Sequence, residues 1–198
     1  VRLRRGAAPH LEEVRRSLSA DETLVEYFIA NDELIIFVLD AHELHVKRHP
    51  LEANRLEAIL RRMSFQLNRP SVFDRYNEDM VRTVERSAHK VLEDLYELLI
   101  GPIRPLLRTQ RVVIVPHGEL NGVPFHALEH AGEPLLAVHE VVQVPSASIY
   151  VHCKRERKKG TRTALLLGVP DEVAPDIRRE VEELRKRVPH QRSFIGQE

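Results

Sequence analysis

The sequence is nearly free of cysteine: Cys153 stands alone among 198 residues. A disulfide framework is therefore excluded, and a reducing cytoplasm is the expected compartment. Tryptophan is absent and aromatics make up only 5%, so the core has to come mainly from aliphatic side chains. Neither charge is in excess, with 30 Lys+Arg against 30 Asp+Glu. That balance argues against a nucleic-acid or membrane partner. No apolar run approaches the roughly 20 residues that would span a bilayer, and no signal-peptide pattern is visible. A phosphate loop, GxGxxG, GxSxG and a helical repeat period are all missing. Eleven histidines invite a metal reading, but His126 and His130 have no third ligand at a metal spacing. No metal and no other cofactor is expected. Cys153 directly follows His152, and adjacent side chains point apart on helix or strand, so His152 is a poor base for it.

What is present is an α/β pattern, 42% hydrophobic and 30% charged, long enough for one domain or two small ones. Val1 in place of Met, and the RLRRG that it opens, lead us to expect a segment of something longer. Residues 9–19 read as a short helix, with Pro9 in its first turn and Glu12 and Glu13 where the dipole favours acids. Residues 23–30 and 33–40 read as strands joined by Asn31-Asp32, and residues 43–49 as a third strand, an antiparallel meander. Leu56, Ile59, Leu60, Met63 and Leu67 share one helical face, and Pro70 should end that helix. Val81, Val84, Ala88, Val91, Leu92, Leu95, Leu98 and Leu99 form a second stripe, which Gly101-Pro102 closes. Both stripes read as core rather than as a cofactor box.

The stretch RVVIVPHGELNGVPFHAL, residues 111–128, organises the rest. Val112 to Val115 is a short apolar run stopped by Pro116, the pattern of a strand buried on both faces. His117 to Gly122 is a polar, Gly-rich turn, and His117 to Asn121 is expected as an exposed loop at the C-terminal edge of the sheet. Residues 135–138 and 140–144 read as short strands, with Ser146 capping a helix over 149–153. The basic run Lys154 to Lys159 reads as a solvated surface. Residues 163–169 read as a buried strand. Val173, Ile177, Val181, Leu184 and Val188 line a crossover helix, and residues 191–195 form a last strand, making a βαβ unit with a parallel sheet.

Three motifs in order resemble the CHAT domain, a caspase-like family often joined to tetratricopeptide repeats. They are the apolar strand ending in Pro116-His117-Gly118, then Pro124-Phe125 with Leu128, then Pro145-Ser146-Ala147-Ser148. The strand at 23–28 and the helix at 95–100 are also similar to the family. His117 stands where the family more often has an acid.

The resemblance implies a caspase-like parallel or mixed sheet with flanking helices, preceded by the meander and two long helices. The expected division is residues 1–108 for that N-terminal part, set as a layer against the sheet, and 109–198 for the start of the caspase-like sheet. It implies a cysteine endopeptidase in which a His and a Cys lie at the ends of neighbouring parallel strands. Neither family context, a His-Gly pair nor a Ser-Ala-Cys, occurs downstream of Val169, so both are expected beyond Glu198. No catalytic, binding or metal residue is therefore assigned within the chain. The expected partners are proteins or a protein substrate, with a helical-repeat domain before Val1. The rival reading is a non-catalytic regulatory or interaction module.

Overall fold

The hairpin signalled by Asn31-Asp32 is present in the computed structural model, which describes residues 9–51, 53–67, 78–156, 163–170, 174, 176–188 and 190–196. Asn31 and Asp32 take φ of 51° and 58°, the left-handed angles that a two-residue turn needs to match strand twist. They join β1 (Glu22–Ala30) to β2 (Glu33–Leu39), and β3 (Leu44–Pro50) completes the meander. Two compact units are formed, Val1–Arg155 and Glu156–Glu198. The division expected at 108/109 falls inside the first.

The meander is not a layer against the sheet; it supplies three of its five strands. β1 pairs in parallel with β4 (Arg111–Val115), and β4 with β7 (Glu140–Gln143), giving the order β3-β2-β1-β4-β7. The physical reason is edge satisfaction. β4 is buried on both faces, so its backbone groups need a strand on either side, which face-to-face packing would not provide. The result is a mixed sheet, antiparallel on one side of β1 and parallel on the other.

Each face of the sheet has its own cover. α2 (Ala53–Leu67) and α3 (Glu78–Leu99) bury Leu56, Ile59, Met63, Val91, Leu95 and Leu99 with Val25, Tyr27, Ile36, Val112 and Ile114. α1 (Leu11–Ser17) and α4 (Ala147–Arg155) cover Leu24, Leu39, Val113 and Val115 with Val14, Leu18, Tyr150 and Val151. The Tyr27 hydroxyl donates to the Leu99 carbonyl at 3.0 Å. It thereby satisfies one of the carbonyls left open at the end of α3. Gly101-Pro102 ends α3 as expected and starts a 3₁₀ turn, Gly101–Leu106. Pro70 lies outside the described residues.

Residues 135–138 are not a strand. A two-residue hairpin, β5 (Glu129–His130) with β6 (Glu133–Pro134), leads into a 3₁₀ turn, Leu135–Ala137. Only Leu135 is buried there; Leu136 and Val138 face solvent, and the Val138 and His139 N–H groups fold back onto the Leu135 carbonyl. Four apolar residues looked like a strand, but a single anchor suits a turn better.

In the second unit, β8 (Thr163–Gly168) and β9 (His190–Ile195) pair in parallel across α5 (Ile177–Arg187), the predicted βαβ unit. The apolar run of β8 predicts a buried strand, yet Leu165 and Leu167 are 61% and 67% exposed, as is most of Phe194. One helix covers one face only. On that covered face Gly168 admits α5: an added Cβ would lie 2.7 Å from Val181 and 2.9 Å from Ile177. Gly168→Ala should push α5 off the sheet and cost about 1–3 kcal/mol. The reading is weakened hydrogen-exchange protection of the β8 and β9 amides; unchanged protection would refute this packing.

Candidate functional site at the C-terminal edge of the sheet

β1 outruns β4. Their parallel register stops at Glu26↔Val115, leaving residues 27–30 of β1 without a β4 neighbour. His117 fills the gap with its side chain. The Ile29 N–H donates to His117 Nδ1 at 3.2 Å, and the imidazole lies 4.6 Å from the Phe28 ring. An amide donating to Nδ1 fixes the ring proton on Nε2, so the outer edge of the ring is a donor rather than a base.

The loop after His117 is held on both sides. Gly118 has φ of 57°, a conformation that glycine adopts without a Cβ penalty. Asn121 Nδ2 donates to the Gly118 carbonyl at 2.8 Å, and Gln143 Nε2 donates to the Asn121 carbonyl at 3.1 Å. The second bond ties the loop to the end of β7. Gly118, Glu119, Asn121 and Gly122 are exposed as expected. Leu120 is not: it is wholly buried in the cluster beneath α2 and α3. A lone leucine within a polar turn is the signal that marks such an anchor.

Beside the loop is a cavity of about 340 Å³, floored by Ile29, Leu51 and Leu56 and rimmed by Asp32, Glu57, His117 and Glu119. Its rim offers one imidazole N–H and three carboxylates. It can hold hydrogen-bond donors, but among the described residues no thiol or hydroxyl lines it.

The single thiol is elsewhere. α4 starts near the C-terminal edge, where Ser146 Oγ accepts the Ile149 N–H at 3.2 Å, the predicted cap. The helix then runs back down the sheet. Lys154 Nζ reaches Glu22 at 2.6 Å, and Glu22 pairs with Arg111, the first residue of β4. Cys153, which is exposed, therefore lies towards the N-terminal edge. The rise of β4 alone separates the two edges by about 13 Å. Cys153 and His117 cannot form a hydrogen-bonded pair.

The other histidines do not converge either. His126 is exposed, while His130 is engaged by Arg104 and Glu97. Among the described residues no group of three His, Cys, Asp or Glu could hold a metal ion. Lys154 and Arg155 of the basic run pair with Glu22 and Glu13; residues 157–159 lie outside the described residues. No described helix is long and apolar enough to cross a membrane.

The family model for the CHAT domain matches residues 89–198. Among solved structures the chain is similar to a PilM-PilN type IV pilus biogenesis complex, at 10% identity and a TM-score of 0.38, over 70% of this chain and 39% of that one. It is also similar to an apo psk41 parM protein, at 7% identity and a TM-score of 0.30, over 85% and 43%. The chain thus spans less than half the length of either structure, and likenesses so slight carry no argument. No curated protein matches the chain.

Proposed function

The chain belongs to the CHAT domain family, and on that premise we propose that it is the N-terminal, sheet-building part of a caspase-like cysteine endopeptidase whose catalytic His and Cys lie in sequence beyond Glu198. In that chemistry a thiolate attacks the peptide carbonyl to give an acyl-enzyme. The His takes the thiol proton and returns it to the leaving amine, and water releases the acyl group. The placement of Cys153 supports a nucleophile from elsewhere. It sits on a helix at the edge opposite the strand ends where α/β sheets build their sites, and a base must come within about 2.6–3.2 Å. The contribution of this chain is the parallel run β1-β4-β7 and the pinned loop at its C-terminal edge. The same proposal includes a protein substrate, a cytoplasmic location and a helical-repeat segment before Val1.

The test is cleavage of a peptide library by the 198-residue chain, by its Cys153→Ala variant and by a longer polypeptide from the same gene. The expected result is cleavage by the longer polypeptide only. Cleavage by the chain that disappears in Cys153→Ala would make Cys153 the nucleophile and overturn the reading. A second reading, a non-catalytic interaction module, is favoured by the exposed Leu165, Leu167, Val169 and Phe194, which a partner would cover. A longer polypeptide that cleaves nothing, yet binds a protein through those four residues, would support it.

A further inference from the structure

At the other edge of the sheet, a cavity of about 500 Å³ opens between the end of α3, the 3₁₀ turn Gly101–Leu106 and the β5-β6 hairpin. Its size falls in the range of small-molecule sites. Leu107, Leu135 and Val138 supply apolar wall, and Tyr96, Arg104 and His139 bring polar groups.

Those polar groups are held but not used up. Arg104 donates one N–H to His130 Nε2 at 2.7 Å. With Nε2 accepting, the His130 proton is on Nδ1, which donates to Glu97 at 3.2 Å. The Glu97–His130–Arg104 chain orients the guanidinium and leaves most of its donors open, and no described carboxylate pairs with it. Tyr96 is 95% buried, being 5% exposed, and its ring stacks on His130. Its hydroxyl nevertheless makes no hydrogen bond among the described residues. Burial pushes the phenol up against the pull of the nearby Arg104, so the hydroxyl stays a donor at neutral pH. The hydroxyl oxygen is not among the buried atoms left without a partner; it opens on the cavity, where a ligand can meet it. His139 donates from Nδ1 to the Thr109 carbonyl at 2.9 Å, leaving its Nε2 lone pair free.

We propose that this cavity binds a small monocarboxylate with an apolar body, its carboxylate received by Arg104 and the Tyr96 hydroxyl and its body packed on Leu107, Leu135 and Val138. An anion is called for by a guanidinium with open donors beside an unpaired O–H. A single charge is called for because Glu133 lines the same cavity and Glu97 stands behind His130, so a dianion would meet repulsion. The apolar wall favours a branched or aromatic body over a bare ion.

The test is calorimetric titration of benzoate into the 198-residue chain, with benzamide as its uncharged counterpart and inorganic phosphate as a competitor. Saturable binding of one benzoate is expected, with benzamide at least about tenfold weaker and phosphate not competing. Arg104→Gln and Tyr96→Phe should each weaken benzoate by a similar factor. Tyr96→Phe should leave the unfolding midpoint unchanged or raised, since it removes a hydroxyl with no partner, whereas a structural hydroxyl would lower it. Equal binding of benzamide, displacement by phosphate, benzoate affinity unchanged in both variants, or no saturation at millimolar benzoate would each overturn the proposal.

Discussion

Glu22→Ala should cost about 3–5 kcal/mol of the stability of the Val1–Arg155 unit, the loss typical of breaking a buried ionic cluster from one side. Glu22 is 2% exposed. It receives the Ser19 N–H at 2.8 Å, Arg111 at 2.9 Å, the Tyr150 hydroxyl at 2.7 Å and Lys154 at 2.6 Å. These partners come from the entry to β1, from β4 and from α4, so one carboxylate ties the parallel pair to the helix that covers it. Its removal would strand two partly buried cations and a buried phenol. Burial alone would raise the Glu22 pKa, but the bonds from Lys154, Ser19, Tyr150 and Arg111 outweigh it and hold the carboxyl well below the usual range. A carboxyl depressed in the folded state adds stability that is fully present above its unfolded pKa, about 4.3, and is lost as the pH falls below that value. Urea midpoints at pH 6 and pH 3 check both points. Wild type should lose stability between them, and Glu22→Gln, already destabilised at pH 6, should lose less. Equal acid losses in the two proteins would remove Glu22 from this role.

Phe125→Ala should cost about 3–5 kcal/mol. Phe125 is fully buried, its ring centroid 5.3 Å from that of Tyr27. It belongs to the cluster that joins α2 and α3 to the sheet, with Leu120 and Leu128 beside it in the chain segment after β4. An alanine there leaves a ring-sized hole among rigid neighbours on both sides. Phe125→Leu refills most of that volume and should cost less than the alanine, by a clear margin in urea unfolding. A Phe125→Ala protein with a wild-type midpoint would mean that the segment after β4 does not hold the helices to the sheet. A total stability of about 5–15 kcal/mol is usual for domains of this size, so either substitution would remove a large share of it.

Much of this was legible in advance because the signals are local. Val112 to Val115 with Pro116 marked a doubly buried strand, Asn31-Asp32 a two-residue hairpin, and Ser146 a helix cap. The Leu56–Met63 and Val91–Leu99 stripes marked the faces that α2 and α3 bury. Each depends on residues a few positions apart, where period and backbone preference act directly. The short run at 135–138 misled because four apolar residues fit a strand or a turn equally well, and only the burial of Leu135 alone distinguishes them. Leu120 reads with its polar neighbours, although its side chain belongs to the core.

Backbone preference and apolar period, both properties of neighbouring residues, determined where the strands and helices of this chain lie and which stripe each helix buries. Tertiary structure decided that the meander joins β4 edge to edge, because an unpaired strand edge is satisfied by whichever distant strand reaches it. It also decided the two polar centres. Glu22 meets residues 89 and 132 positions away, and Arg104 meets His130 across 26. No pattern of spacing in the chain announces such meetings, since charges and hydrogen bonds act through space and are brought together only once the apolar faces have packed.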